Sequence, residues 1–303
     1  MDTRVRAAAF EWLSDQVAQH GDVLPRPLLA DGFSLDGRRV PLLGPQGIFK
    51  PAVIEVPLSI TTVPSGPYDD GFDHENVLQY RYRGEDPFHR DNRGLRFAME
   101  RRLPLVYFHR VVPSRYVAAW PVYVVGDNPA RLSFEVQVDD AEHVGLGVEQ
   151  GFAVSEDATE ERRRYITAKV RYRLHQRAFR ERVLLAYQRE CAFCRFRHQE
   201  LLEAAHITPD VDPLGEPVVS NGLALCHLHH GAFDRHFVAV RPDLTIEVRP
   251  DLLAETDGPT LVHGIQALHG RPVAVPRKKD ERPDAARLVR RYEDFLEKTG
   301  RAS

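Results

Sequence analysis

The sequence predicts an α+β chain: a curved β-sheet or small barrel first, then a basic helix, then a small cysteine-bearing module. Three observations predict it. Six short apolar or alternating runs, split by Pro and Gly, fall between Val40 and Val138. Apolar residues at helical spacing follow over residues 159–190, with arginines filling the remaining face. All three cysteines and five of the fourteen histidines then fall in two stretches, Cys191–Pro209 and Asn221–Asp234.

Residues 5–20 read as an amphipathic helix. The strand candidates are VPLLG, PAVIEVPLSITTV, VLQYRYRG, LPLVYFHRVV, YVAAWPVYVV and RLSFEVQV, with a short helix from Asn92 to Arg101. Ile166, Val170, Leu174, Ala178, Phe179, Val183 and Tyr187 form the apolar stripe of the next helix. SEDATEE ahead of it supplies capping and first-turn carboxylates. FVAVRPDLTIEVRP reads as a hairpin turning near Pro242 and Asp243, GRPVAVP as a further short strand, and RPDAARLVRRYEDFLEKTG as a closing helix. The expected organisation is an N-terminal domain over 1–155, a basic linker helix over 156–190 and a C-terminal module over 191–303.

No run of about 18 apolar residues occurs, so no membrane partner is expected. The N-terminus carries Glu11 and Asp15 within its apolar run, a poor signal peptide. Three cysteines, two of them in CxxC, fit a reducing cytoplasm and a metal site better than a disulfide framework. The net charge of −3 is uneven. Residues 1–150 hold 16 basic and 21 acidic side chains, whereas residues 161–190 hold ten Lys/Arg against three Glu. A dense basic stripe on an acidic chain fits a local polyanion contact, and equally a solvated helix face.

Cys191 and Cys194 form CxxC, and Cys226 and His229 form CxxH, with 31 residues between the pairs. Two such knuckles give four ligands in a tetrahedron, the donor set of structural zinc. His206, in EAAHITP, and His230, after the second knuckle, are not needed for that site, and Asn221 lies between them. This order within AHI-P…NGL-LC–HH–FD resembles the ββα-metal fold of HNH endonucleases, over roughly Arg162 to Pro250. The likeness includes the lead-in helix QRAFRERVLLAY.

The resemblance implies roles residue by residue. His206 matches the general base that takes a proton from the attacking water. Asn221 matches the residue that holds the loop and orients that imidazole. His230 matches a ligand of the catalytic divalent metal, Mg²⁺ or Mn²⁺. Asp234 lies four residues on, so on a helix it shares His230's face and makes a metal pair. The sequence departs from many HNH enzymes at Ala205, where they carry Asp or His. Either Asp234 and water complete the shell, or Glu203 reaches in. His198 and His227 are left as surface histidines and His236 as structural.

In the first 150 residues, Tyr68-Asp69-Asp70, then Tyr82-Arg83-Gly84, Asn92-Arg93-Gly94-Leu95, Pro104-Leu105-Val106 and a Tyr-containing strand follow in order. The order, over about Val53 to Val125, is similar to the SRA domain. That domain is a PUA-like curved sheet that flips 5-methylcytosine or 5-hydroxymethylcytosine out of the duplex. Arg83, Gly84 and Glu85 replace its Gly-rich loop. A flipped cytosine needs flat faces and an acceptor for its exocyclic amine. Tyr68 and Tyr82 are candidates for the stack, and Asp70 or Asp73 for the acceptor. Arg81, Arg83, Arg90 and Arg93 are candidates for the phosphates, with Arg173, Arg177 and Arg180 of the basic helix. Tyr80 and Tyr82 share one strand face, so plain core packing is the competing reading.

Together these resemblances imply a modification-dependent, type IV-like restriction endonuclease of the phage-defence kind, acting on double-stranded DNA. One HNH site cuts one strand, so a homodimer is expected. Two alternatives stand beside it. One is an HNH nuclease that reads another mark, such as phosphorothioate, or a plain sequence. The other is a DNA-binding protein with an inactive HNH fold.

Overall fold

The computed structural model describes residues 1–62, 77–138, 160–256 and 258–301, with side chains of the long central helix from Thr167 onward. It divides into two compact units, Met1–Ala178 and Phe179–Ser303. Among the described residues no helix is long and apolar enough to cross a membrane.

The first unit runs α1 (Asp2–His20), β1 (Val23–Pro25), α2 (Arg26–Asp31), β2 (Phe33–Leu35), β3 (Arg38–Val40), β4 (Ile48–Phe49), β5 (Ser59–Thr62), β6 (Leu78–Arg81), α3 (Arg90–Glu100), β7 (Leu105–Val112), β8 (Arg115–Asn128) and β9 (Ser133–Val138). It closes with the first part of α4 (Glu160–Ala186). Seven strands form one mixed sheet in the order β4-β5-β7-β8-β9-β6, with β1 also on β8. Among the described strands only β5 and β7 pair parallel within it. Register shifts between Leu105 and Tyr107 and between Val124 and Gly126 bend β7 and β8, as bulges do, and curl the sheet.

Alternation along β7 divides the core between the two faces. Val106 and Phe108 pack with Val5, Leu13 and Trp120 on the α1 side. Leu105 and Tyr107 pack with Tyr80, Tyr82, Leu95 and Phe134, and with Val170, Leu174 and Ala178 of α4. The run VPLLG differs from the expected strand. Only Val40 is in β3, and Pro41 has no N–H to donate. Leu42 and Leu43 lie buried in a loop, their N–H groups donating to Leu29 O at 2.9 and 3.3 Å.

The second unit takes the last turns of α4 and continues with β10 (Leu202–His206), β11 (Gly222–Cys226), α5 (His227–Asp234), β12 (Val238–Val240), β13 (Ile246–Val248), α6 (Pro250–Ala254), α7 (Pro259–Gly264) and α8 (Ala285–Lys298). β10 and β11 pair antiparallel, with His206 opposite Gly222, and α5 follows β11 directly. The hairpin of β12 and β13 forms as expected. GRPVAVP does not make a strand. Pro272 forms one bridge with Thr245, and Val273 and Ala274 donate to Leu244 and Ala192. The closing helix α8 is N-capped by Asp284, which accepts from Arg287 N at 3.0 Å. It buries Leu288, Arg291 and Phe295.

Candidate active site and metal centre

The sequence builds the metal centre from a knuckle and a helix start. Cys191 N donates to Phe196 O and Arg195 N to Cys191 O, both at 2.9 Å, which folds CAFC back on itself. Cys226 is the N-cap of α5 and His229 lies three residues on, in its first turn. The helix start favours thiolate at Cys226. The ligand atoms of Cys191, Cys194, Cys226 and His229 all lie within 4.8 Å of one another. His229 Nδ1 is 3.4 Å from Cys191 Sγ and 3.3 Å from Cys226 Sγ. A tetrahedron with ordinary Zn–S and Zn–N lengths has S–N edges of about 3.6 Å, so the donors fit zinc. His229 Nε2 donates to Gly264 O at 2.8 Å, which turns the Nδ1 lone pair toward the sulfurs. Hydrogen bonds from Cys191 and Cys194 hold the Cys226 thiol far below the ordinary range. Burial keeps Cys191 and His229 out of water.

The second cluster gathers on β10 and α5. His230 Nδ1 donates to Glu203 Oε2 at 2.5 Å, and His230 Nε2 lies 3.2 Å from Asp234 Oδ2. Glu203 thereby fixes the Nδ1–H tautomer and leaves Nε2 beside Asp234. An imidazole nitrogen and a carboxylate oxygen at that separation suit two adjacent positions around a divalent cation. Glu203 and Asp234 approach opposite ring nitrogens, so Glu203 orients His230 while Asp234 shares its metal-facing side. Ala205 is fully buried, and the carboxylates come from Glu203 and Asp234 instead. His227 is exposed, as expected of a surface histidine, with Nε2 3.5 Å from Glu203 Oε1. Arg291 is buried beneath, donating to Phe233 O at 3.0 Å with its guanidinium 3.9 Å from Asp234. Burial alone would raise the Asp234 carboxyl, but His230 and Arg291 hold it below the usual range.

His206 ends β10 and is half-buried. Burial lowers its proton affinity below that of an ordinary histidine, against the pull of Asp210 and Asp234 and with repulsion from His230. The imidazole is therefore neutral at neutral pH. Its Nε2 is buried without a hydrogen-bond partner among the described residues. The ring stacks on Phe179 of α4, centroids 4.1 Å apart and planes at 21°. Asn221 is fully buried and clamps the intervening loop. Its Oδ1 accepts from Thr208 N at 2.8 Å, and its Nδ2 donates to Thr208 O and Glu216 O at 3.1 and 2.9 Å. It acts on the backbone after His206 rather than on the imidazole.

The other predicted residues divide. Tyr68, Asp70 and Asp73 lie outside the described residues. Tyr82 is 7% exposed, its ring 4.6 Å from Phe134 and its hydroxyl bonded to Asp127 and Arg96. In this conformation it presents no open face to a base, and the core reading weighed for Tyr80 and Tyr82 describes both. Arg83 pairs with Asp91 and Gln46, whereas Arg93 is exposed. Arg173 is half-buried and Arg177 pairs with Asp22. Arg180 donates to Gln199 O and Leu202 O at 3.0 and 2.8 Å, which pins the start of β10. His236 is buried, accepting at Nε2 from Lys298 at 2.9 Å. Phe179 was visible in sequence only as one apolar position of a helix. Nothing in that spacing signals a stack on a residue 27 positions away.

No curated protein matches the chain. Among solved structures it is similar to a modification-dependent restriction endonuclease, TagI. The identity is 16%, over 79% of this chain and 82% of that one, with a TM-score of 0.31. Residues 191–241 match the HNH endonuclease family. The stretch that holds the cysteine cluster, His206, Asn221, His230 and Asp234 is thus an HNH endonuclease domain.

Proposed function

We propose that the protein is a DNA endonuclease that hydrolyses phosphodiesters at His206, directed by an N-terminal unit that reads modified cytosine. The observation that carries the nuclease reading is a stretch matching the HNH family that holds a half-buried His206 at the end of β10 and a His230–Asp234 pair 3.2 Å apart. The His206 imidazole takes a proton from water as the water oxygen bonds to phosphorus. The bond to the bridging oxygen breaks, and that oxygen collects a proton from solvent. Glu203 holds the His230 tautomer throughout, and Asn221 holds the loop that follows the base. A divalent cation held by His230 and Asp234 would supply charge stabilisation at the phosphate and the leaving oxygen. Zinc held by Cys191, Cys194, Cys226 and His229 would staple the module.

The reader assignment, SRA-like and base-flipping, rests on the motif order over about Val53 to Val125 and on the curled sheet formed by its described part with neighbouring strands. The core placement of Tyr82 favours a second reading, in which the same nuclease responds to another DNA mark or to plain sequence. Two copies acting together would give double-strand breaks. Matched duplexes carrying cytosine, 5-methylcytosine, 5-hydroxymethylcytosine or its glucosylated form, with Mg²⁺, Mn²⁺ or no added metal, test both halves. Metal-dependent cutting confined to modified cytosine is expected. Equal cutting of all duplexes would remove the modified-cytosine reader and keep the nuclease. Binding without cutting under every metal would remove the nuclease.

A further inference from the structure

We propose that Phe179, on the last turns of the basic helix, is a positioning residue for His206, fixing its ring plane and excluding water from one face. The inference rests on the reading of His206 as the base. Phe179 lies outside the stretch that matches the HNH family, so the family match alone gives it no role. Its ring lies nearly parallel to the imidazole at 4.1 Å, a face contact rather than an edge contact.

Three observations show that the placement is built. Phe179 is 1% exposed and packs in the same core as Val183, Leu223 and Phe233. Gly222, opposite His206 in the strand register, is what lets the helix come so close. A Cβ there would fall 2.5 Å from Val183 Cγ2 and 3.0 Å from Phe179 Cζ. Arg180, the next residue, ties the same helix turn to Leu202 O at the start of the strand that ends in His206. The helix is therefore fastened at both ends of β10, by Arg180 at the start and by the Phe179 stack at the finish. The partnerless, buried Nε2 shows the cost of this arrangement.

Two substitutions in the full-length, zinc-loaded protein separate water exclusion from ring orientation. Phe179→Ala opens the face to water. Single-turnover cleavage is expected to fall and the acid limb of its pH profile to move to higher pH, toward an ordinary histidine. Phe179→Leu keeps an apolar cover without a flat face. Cleavage is expected to fall by about 10- to 100-fold through misorientation, without that upward move, while DNA affinity and zinc content hold. Wild-type rate and profile in both variants would overturn the proposal.

Since Phe179→Ala removes a core ring, a measurement on the unaltered protein stands beside it. The His206 ring protons are expected upfield of the other histidines by NMR, shifted by the Phe179 ring current. Ordinary positions for them would overturn the stack. Should His206→Ala cleave like wild type, the base reading fails, yet the ring-current result still judges the stack separately.

Discussion

Removing the Glu203 carboxylate tests how the nuclease site is held together. In Glu203→Ala the His230 Nδ1–H loses its 2.5 Å acceptor, and the imidazole is free to rotate or change tautomer. A hydrogen bond to a charged group contributes about 1.5–3 kcal/mol. The Glu203 side chain is 44% exposed, so solvent screens it and the lower end applies. About 1.5 kcal/mol is close to a tenfold change, at the low edge of the roughly 10- to 100-fold typical when a metal ligand's partner is lost. The Mn²⁺ concentration for half-maximal cleavage is therefore expected to rise about tenfold. Mn²⁺ binding followed by electron paramagnetic resonance without DNA should weaken in parallel. Glu203→Gln, whose amide oxygen still accepts from Nδ1, is expected to recover most of the loss. Unchanged metal dependence in Glu203→Ala, with zinc content intact, would refute the reasoning.

Further outcomes follow from the same geometry. A structural zinc site contributes about 10–16 kcal/mol, comparable to the whole stability of a domain. Cys226→Ser or strong chelation is thus expected to open residues 191–241 to limited proteolysis, and intact protein to hold one zinc per chain. Asn221→Ala leaves the buried Thr208 N and O without partners, while Glu216 O keeps Val218 N, and is expected to cost about 2 kcal/mol of the second unit's stability, read by denaturant unfolding. Burial, with Arg291 and Lys298 nearby, pushes His236 down to about 4. The unfolded chain therefore binds the extra proton first as pH falls. The stability His236 contributes is full above about pH 6.5 and is lost as pH drops toward 4. His236→Asn, which accepts the left-handed backbone at φ 54°, should show a smaller loss in urea midpoint between pH 7.5 and 4.5.

What was legible in the sequence was whatever depends on period or fixed spacing. The long runs LPLVYFHRVV, YVAAWPVYVV and RLSFEVQV became β7, β8 and β9 because their apolar residues serve both faces of a covered sheet. The two knuckles converge because CxxC makes one tight turn and CxxH spans one helical turn. VPLLG misled because a proline-led apolar run is as well buried in a loop as in a strand. The short helices α6 and α7 went unseen, since each starts at a proline and is too short to show a period. The stripe from Val170 to Tyr187 is continuous, so nothing in it showed that Ala178 would pack with the sheet and Phe179 with the nuclease. Charge was the least legible. Ten basic residues read alike in sequence, yet Arg180 is engaged in pinning β10.

His206 is the residue on which phosphodiester hydrolysis by this protein depends most directly. Single-turnover cleavage by His206→Ala, measured with DNA affinity and zinc content on the same preparation, tests it. A loss of about 100-fold or more in cleavage, with affinity and zinc unchanged, is the predicted result. Cleavage within a factor of a few of wild type would contradict it.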